Sequence, residues 1–201
     1  MHKKYVGREI VALILIAIGA IILSVSVVRG FIYIPTGEMN LSNSPAFSVA
    51  ATAQGLPVRI RIPAIEVDTD VEHVGITFKG NMSTPKLLSD TGWYKYGTAP
   101  GSLGSAVIDG HVDNGWNLPG VFADLKKLKE GDSVYIKTDK GKELHFIVTD
   151  SAVYPYKEVP KDLLFTRNDA PRLNLITCEG DWIPEEETDA NRLVVYTRLV
   201  E

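Results

Sequence analysis

The chain of 201 residues contains one cysteine, Cys178, within the stretch NLITCEG at residues 174–180. An apolar run precedes it and acidic residues follow, so a strand is predicted to end at Cys178 and a loop to begin there. A cysteine attacks a carbonyl as a thiolate, which needs a base or a cation nearby, and the resulting oxyanion needs a hydrogen-bond donor. The alternative is an inert core cysteine, because free cysteines are often buried.

Among the four histidines, His111 is the best candidate for a partner of the thiol. It follows the apolar run 106–108 through a short turn, where the end of a strand presents a side chain to a cleft. His145 alternates with apolar neighbours and is expected to face solvent, and His73 lies in a charged stretch. His2 is predicted to be cytoplasmic. On position alone, His111 could equally be an ordinary loop histidine.

Two arginines near the C-terminus compete for the role of oxyanion donor. If the strand ending at Cys178 and the strand beginning near Arg192 are antiparallel neighbours, the end of one lies beside the start of the other. Arg198 shares the strand face of Arg192 but lies about 20 Å further along. Arg192 is therefore predicted to serve Cys178. Arg59 and Arg61 alternate with apolar residues and are predicted to be exposed strand charges.

Alternation of apolar and polar residues predicts strands along most of the chain after residue 57. The turn at 139–141 joins two of them as a hairpin. One short helix is predicted at 118–128, because four of its apolar residues fall on one face. The fold class is all-β, a closed barrel or sandwich with short helical insertions. The predicted strands are 58–62, 106–108, 133–138, 143–149, 173–177 and 193–200.

Residues 10–28 form an apolar stretch of 19 residues without a charge. At about 1.5 Å per residue it nearly matches a hydrocarbon core of roughly 30 Å, so one N-terminal transmembrane helix is predicted. Lysines and an arginine precede it, which places residues 1–9 in the cytoplasm and the remaining chain outside the cell. The alternative is a cleaved signal peptide, but the Ala-x-Ala site at 51–53 lies far beyond the apolar stretch.

The rest of the chain divides into a tether and one domain. Residues 29–56 are predicted to be a flexible extracellular tether, and residues 57–201 have the size of a single domain. The formal net charge is −4, and the acidic excess falls after residue 56, so no nucleic-acid partner is expected. An exported lone cysteine cannot form an internal disulfide, and it is therefore either inert or kept for its reactivity.

Five features, taken in chain order, resemble the sortase family. The first is PVRIRIPAI from residue 57, and the second is His111 directly after VIDG. GVFADLKKLKEGDSVYI follows from residue 120, then Cys178 at the end of LITC, and finally Arg192 at the start of RLVVYTRL. The resemblance covers about residues 57–201, and the apolar N-terminal stretch and the tether agree with it.

The resemblance implies an eight-stranded, sortase-like closed β-barrel and a membrane-anchored cysteine transpeptidase of Gram-positive cell surfaces that needs no cofactor. Sortases cleave an LPXTG-like sorting signal of surface proteins and transfer the protein to an amine of a cell-wall precursor or of peptidoglycan. Cys178 would form the thioacyl-enzyme, and Arg192 would donate to the oxyanion. His111 would protonate the leaving amine and deprotonate the incoming one. Thr177 would help to bind substrate and hold the arginine.

Two departures from the family pattern bear on the subclass. The usual Thr-Leu-x-Thr-Cys begins with Asn174 here. The tether lacks the Asp-Pro-aromatic lid of pilin-polymerising members, and no second apolar span follows Glu201, so an anchoring enzyme is expected rather than one specialised in pilus assembly. The short TCEG and the direct C-terminus look most like the class E or F sortases.

Several side chains carry weaker signals. Trp182 could line the substrate cleft or anchor the loop. The five acidic residues of 181–189 could attract an ammonium nucleophile or bind Ca²⁺, or they could form a solvated loop. Asp113 could orient the imidazole of His111 or serve the turn. The aromatic residues at 93, 94 and 96 are expected to pack.

Three rival functions compete with the transpeptidase. A metal site of His111, Asp113 and Cys178 lacks the paired ligand spacing that zinc sites commonly show. An L,D-transpeptidase would carry a His-Gly-Cys run, which this chain lacks. A membrane-tethered β-domain that binds without catalysis stays open.

Overall fold

The computed structural model describes residues 11, 13–22, 33–34, 37–39, 53–116 and 118–200. Among the residues described, eight strands close into one barrel in the order β1-β2-β3-β4-β7-β8-β6-β5. The pairs β2–β3 and β4–β7 are parallel, and the other neighbouring pairs are antiparallel. The prediction of an all-β, eight-stranded closed barrel is confirmed. The strands are β1 Pro57–Ile62, β2 Val67–Val74, β3 Thr91–Tyr94, β4 Gly104–Gly110, β5 Ser133–Thr138, β6 Glu143–Pro155, β7 Pro171–Ile183 and β8 Thr188–Leu199.

The barrel interior is filled by alternate side chains of these strands, as a period of two requires. Its largest fully buried members are Trp93, Phe122 and Phe146. A smaller apolar cluster covers the outer face of the sheet where β4, β7 and β8 are neighbours, and its buried members are Val107, Leu164 and Val194. This part of the sheet is thus covered on both faces.

Local alternation predicted six of the strands but missed β2 and β3. In β2 the buried residues Val67, Val71 and Val74 are separated by charged and polar residues, which makes the apolar signal weak. Strand β3 has only four residues and includes Gly92. Strands β6, β7 and β8 also extend beyond their predicted ends, because pairing with neighbours continues through residues without clear alternation.

The helix predicted at 118–128 is wrong: the structure has turns and a 3₁₀ segment at Leu125–Lys127. The apolar face is nonetheless correct, because the residues at 122, 125 and 128 are buried in the core. The backbone amides explain the difference. The amide of Gly120 donates to Val112, that of Val121 to Leu88 and that of Phe122 to the carbonyl of His111. The amides of Ala123, Leu125 and Lys127 each bond to the carbonyl three residues earlier, so the segment forms turns and a 3₁₀ segment instead of an α-helix.

The N-terminal stretch is described in part. Residues 11 and 13–22 are helical, whereas residues 1–10, 12 and 23–32 of the predicted cytoplasmic end, transmembrane span and tether lie outside the described residues. Over the described part of the chain, no helix has both the length and the apolar character needed to cross a membrane. The side chains of residues 13–16 are exposed.

Within the predicted tether, residues 33–34 and 37–39 contact the loop between β2 and β3. The amide of Ile34 donates to the carbonyl of Lys86, and the amide of Met39 donates to that of Ile76. Glu38 accepts a hydrogen bond from the amide of Gly75 at 3.0 Å and forms an ion pair with Lys95. The other residues of 29–52 lie outside the described residues.

Candidate active site

Cys178 lies on β7, directly opposite Arg192 on β8 in the antiparallel register. The prediction that these two residues are cross-strand neighbours is confirmed. The prediction that the strand ends at Cys178 is wrong, because β7 continues to Ile183 after a register shift between Glu179 and Trp182. An extra residue in one strand bends it locally without ending the pairing, and Cys178 therefore lies just before a bulge.

His111 follows the last residue of β4, which runs parallel to β7. The last pair of β4 and β7 is Asp109 with Ile176, so His111 and Cys178 each lie two residues beyond it. The imidazole Nε2 lies 2.8 Å from the carbonyl oxygen of Pro85. Because a carbonyl only accepts, Nε2 carries the proton of the neutral ring and Nδ1 keeps the free lone pair.

Thr177 has a different role from the one the resemblance implied. It shares the inward face of β7 with the core leucines at 173 and 175, and it is buried. Its hydroxyl donates to the carbonyl of Gly110 at 2.7 Å. Cys178 lies on the opposite face because side chains alternate along a strand. Thr177 therefore ties β7 to β4 and does not hold Arg192.

The guanidinium of Arg192 is held by the hairpin between β7 and β8. Its Nη1 donates to the carbonyl oxygens of Asp189 at 3.1 Å and of Asn191 at 2.8 Å, and its Nη2 donates to Thr188 Oγ1 at 2.6 Å. The guanidinium carbon lies 5.9 Å from the ring centroid of Tyr156. These contacts restrict the rotamers of a long side chain, and they fix a planar donor beside the thiol.

The thiol of Cys178 is half-buried and its proton is strongly held. Burial raises the pKa of this thiol to about 11, and the nearby positive charge of Arg192 offsets part of that rise. The carboxyl groups of Asp189 and Asp109 raise the thiol pKa further, because they oppose a second negative charge. At neutral pH the resting cysteine is therefore the neutral thiol.

The imidazole of His111 is neutral in the same resting site. Burial lowers its pKa, because a charged ring would lose hydration. The hydrogen bond to Pro85 and the carboxylates of Glu72 and Asp113 raise the pKa, but less than burial lowers it. The thiolate–imidazolium pair is thus a minor form, and proton transfer from Cys178 to His111 must accompany substrate binding or attack.

Trp182 stands on β7 beyond the bulge, paired with Asp189, and 58 % of its side chain is exposed. The acidic segment 181–189 is the end of a β-hairpin rather than a loop, and two of its carboxylates form exposed ion pairs, Lys157–Glu186 at 2.6 Å and Lys79–Glu187 at 3.3 Å. Across the residues that the structure describes, no group of three or more His, Cys, Asp or Glu could hold a metal ion.

The remaining histidines and Arg198 lie away from this site. His73 on β2 bonds to the carbonyl of Pro57 at 2.8 Å, and its ring meets the edge of Trp93. His145 is on the outer face of β6, as its alternation predicts, but it is only partly exposed because it stacks on Tyr135. Arg198 is exposed and pairs with Arg172, six positions from the Cys178 pair.

Other side chains of the site follow the plainer alternatives. Asp113 Oδ1 accepts the amide of Gly115 at 2.6 Å, which is turn chemistry. Trp93 is fully buried, and Tyr94 packs edge-on against Tyr96 and Phe165, so the aromatic residues pack as predicted.

Two contributors to the site were not predicted from the sequence. The carbonyl of Pro85, which holds His111, lies 26 residues earlier, and nothing in the local sequence indicates that contact. Asp109 is an acid within an otherwise apolar strand, two residues before His111. That unusual position is a signal that the sequence does contain, although the glycine after it makes the pair resemble a turn.

Comparison with known proteins places the chain in a family. The Sortase domain family model matches residues 60–200. Sortase C-1 from Actinomyces oris superposes with a TM-score of 0.62 at 23% identity, over 85% of this chain and 88% of that one. A Clostridium perfringens sortase D5 transpeptidase gives 0.51 at 20%, over 72% and 79%.

Sortase A from Corynebacterium diphtheriae gives a TM-score of 0.55 at 22% identity, over 75% of this chain and 63% of that one, so the chain spans less than two thirds of its length. At such identities these structures show the shared barrel alone. No curated protein matches the chain. The family match covers the barrel except for the first three residues of β1 and includes Cys178, His111 and Arg192, and the chain belongs to the sortase family of cysteine transpeptidases.

Proposed function

We propose that this protein cleaves an LPXTG-like sorting signal through a thioacyl-enzyme on Cys178 and transfers the attached surface protein to a cell-wall amine. The observation that carries the proposal is the register of three neighbouring strands. Cys178 pairs with Arg192, and Cys178 and His111 each lie two residues beyond the last pair of β7 and β4, on a sheet face partly covered by apolar residues. A nucleophile, an acid–base group and an oxyanion donor are the parts that acyl transfer requires.

The proposed reaction begins with proton transfer from the Cys178 thiol to Nδ1 of His111. The thiolate attacks the carbonyl carbon of the signal's threonine, and the guanidinium of Arg192 donates to the oxyanion. His111 then protonates the leaving amine as the C–N bond breaks and the thioester forms. In the second half, His111 takes a proton from the incoming amine, which attacks the thioester and releases the Cys178 thiolate. His111 then gives this proton to the thiolate, which restores the neutral thiol and imidazole.

A transfer assay tests this function. The chain is incubated with a peptide containing an LPXTG-like signal and a panel of amines, and the products are identified by mass spectrometry. We expect a new amide between the signal's threonine and an amine, and we expect the peptide to protect Cys178 from labelling by a vinyl sulfone. Vinyl sulfone labelling that the peptide does not affect, with no amide product, would favour a domain that binds without catalysis.

Arg192 and Arg198 allow a matched test of the oxyanion donor. We expect Arg192→Ala to lose about 10²–10³ in rate, or roughly 3–4 kcal/mol, the usual loss for one such donor. Arg192→Lys keeps the charge but loses the planar fork, and it should also be badly impaired. Arg198→Ala, about 20 Å along the strand, should lose little. Turnover and melting temperature are measured for all three variants.

The control separates chemistry from stability. Arg198 is exposed, so any loss of turnover in Arg198→Ala should follow its melting temperature. If Arg198→Ala were inactive but stably folded while Arg192→Ala stayed active, Arg192 would not be the oxyanion donor that we propose.

We propose that Trp182 contacts the substrate directly, because it is exposed on the hairpin of β7 and β8. The role proposed for Thr177 is indirect. Thr177 is buried, and it contributes by fixing the distance between the strand of the cysteine and that of the histidine. A class E or F subclass, rather than a pilus-assembling sortase, remains our proposal on the sequence features alone.

We further propose that residues 10–28 anchor the protein in the cell membrane, that residues 29–56 form the tether and that residues 57–201 form the extracellular domain. The apolar run and the preceding positive charges support this arrangement. Protein recovered from cells should keep its N-terminal residues and partition with membranes. A soluble form that begins near Gln54 would indicate cleavage at 51–53 instead.

A further inference from the structure

Asp109 is a buried carboxyl on the outer face of β4. Its strand neighbours Ala106 and Ile108 belong to the barrel core, so Asp109 points to the opposite side together with Val107. Its side-chain Oδ1 is buried and has no hydrogen-bond partner in the part of the chain that the structure describes. A buried carboxyl with one oxygen unpartnered favours its neutral form, because the charge of a carboxylate there would be poorly hydrated, and its one backbone hydrogen bond only partly offsets the cost of burial.

The strand on the other side leaves room for this carboxyl. Asp109 pairs with Gly92 on β3, and its Oδ1 lies 2.5 Å from the position that a Cβ on Gly92 would occupy. Val74 and Pro85 approach the same point. Any larger residue at position 92 would displace the carboxyl, so the position of the Asp109 side chain depends on the glycine at position 92.

Asp109 lies on the same face of the sheet as the thiol. It pairs with Ile176, and Cys178 is the next residue of β7 on that face. Diagonal neighbours in a sheet are about 7–8 Å apart. A negative charge on Asp109 raises the pKa of Cys178, because the two anions would repel each other through the protein.

The charged groups around Asp109 come from each neighbouring element. Glu72 on β2 raises the pKa of Asp109, and its own Oε1 accepts the amide of Lys86 at 2.8 Å. Cys178 faces Asp109 from β7. On β8, the guanidinium of Arg192 lowers the pKa of the thiol and the carboxylate of Asp189 raises it. His111 follows two residues later at the end of the same strand. Burial and Glu72 together hold the pKa of Asp109 well above its ordinary value.

We propose that Asp109 is a positioning residue of the transpeptidase whose proton controls the nucleophile: the neutral carboxyl permits the Cys178 thiolate, and the ionised carboxyl suppresses it. The proposal rests on Cys178 being the nucleophile. While Asp109 is neutral, it adds no negative charge to that of Asp189 beside the nascent thiolate. As the pH rises through the pKa of Asp109, its carboxylate opposes further ionisation of the thiol, and reactivity rises less than for an isolated cysteine.

The test measures alkylation of Cys178 by iodoacetamide against pH in the full chain. At mildly acidic pH, wild type and Asp109→Asn should react alike, because the carboxyl is neutral in one and absent in the other. At alkaline pH below the thiol pKa, Asp109→Asn should react roughly 30- to 50-fold faster, the effect expected of a unit charge about 7–8 Å away with an effective dielectric constant of about 20. Superimposable pH profiles for the two folded proteins would overturn the proposal.

Two further variants test whether the effect belongs to the carboxyl of Asp109 itself. Asp113→Asn removes a carboxylate of the adjoining turn, and it should leave the alkaline branch of the alkylation profile unchanged. If Asp113→Asn accelerated alkylation of Cys178 equally, the effect would come from the general surface charge and not from Asp109. Glu72→Gln removes the anion that disfavours ionisation of Asp109, so suppression should begin at lower pH. Glu72→Gln combined with Asp109→Asn should abolish that shift, and its persistence would contradict the proposal.

The outcomes also separate this proposal from the function itself. If Cys178 is labelled normally and the enzyme turns over the sorting peptide, but Asp109→Asn changes neither, only the role proposed for Asp109 is wrong. A Cys178→Ala variant that still cleaves the peptide removes the function. If Asp109→Asn fails to fold, the shift that Glu72→Gln causes in the pH profile of Cys178 alkylation still tests the proposal. Glu72 is partly exposed, so its substitution should not prevent folding.

Discussion

Cys178→Ala is expected to abolish both the thioacyl-enzyme and the cleavage of a sorting peptide. No other thiol exists in the chain, so nothing can replace the nucleophile. A variant without the nucleophile keeps only the catalysis that binding and the oxyanion donor provide. Mass spectrometry of the denatured enzyme after mixing with peptide checks for the acyl adduct, and chromatography of the peptide checks turnover.

The fold should survive this change, which makes the result interpretable. Cys178 is half-buried on the outer face of β7, outside the main core, and its backbone pairing with Arg192 does not depend on the side chain. The melting temperature of Cys178→Ala should therefore stay close to that of the wild type. Undiminished cleavage by the folded variant would contradict the mechanism.

His111→Ala should lower turnover by about 10²–10⁴-fold, the usual contribution of a positioned acid–base group. The ring at this position is neutral, and its free Nδ1 can take the thiol proton and later return it to the leaving amine. Turnover of the sorting peptide across pH measures the effect. Alkylation of Cys178 by a small reagent should fall less than turnover, because protonation of the leaving amine is not needed there.

His145→Ala is the matched control for this variant. His145 lies on β6, bonds to Ser133 Oγ at 2.9 Å and stacks on Tyr135, so its loss should change local packing and leave turnover nearly intact. The melting temperatures of both variants separate folding from catalysis. If His145→Ala were inactive while His111→Ala stayed active, His111 would not be the acid–base group, and the site at the ends of β4 and β7 would be wrongly assigned.

The local sequence pattern was enough to predict the strands whose partners are near in sequence or whose alternation of apolar and polar residues is unbroken. Strand β5 matched its prediction residue for residue, and the turn at 139–141 closes its hairpin with β6. The neighbourhood of Cys178 and Arg192 also followed from sequence, because two strands joined by a short connection pair as a hairpin. Because the chain has a single cysteine and few histidines or arginines that could act with it, the sequence also limited the reaction types and catalytic residues to a few candidates.

Tertiary structure decided everything that depends on contacts between distant residues. The amides of 120–122 bond to the loop before β3 and to the chain after β4, and this segment forms turns where the apolar pattern predicted a helix. Pro85 holds His111 from 26 residues away. Asp109 is a turn residue by composition and a buried acid in the barrel. Sequence periodicity reports which face of a segment is apolar, and the hydrogen bonds and charges that reach that segment from elsewhere appear only when the barrel closes.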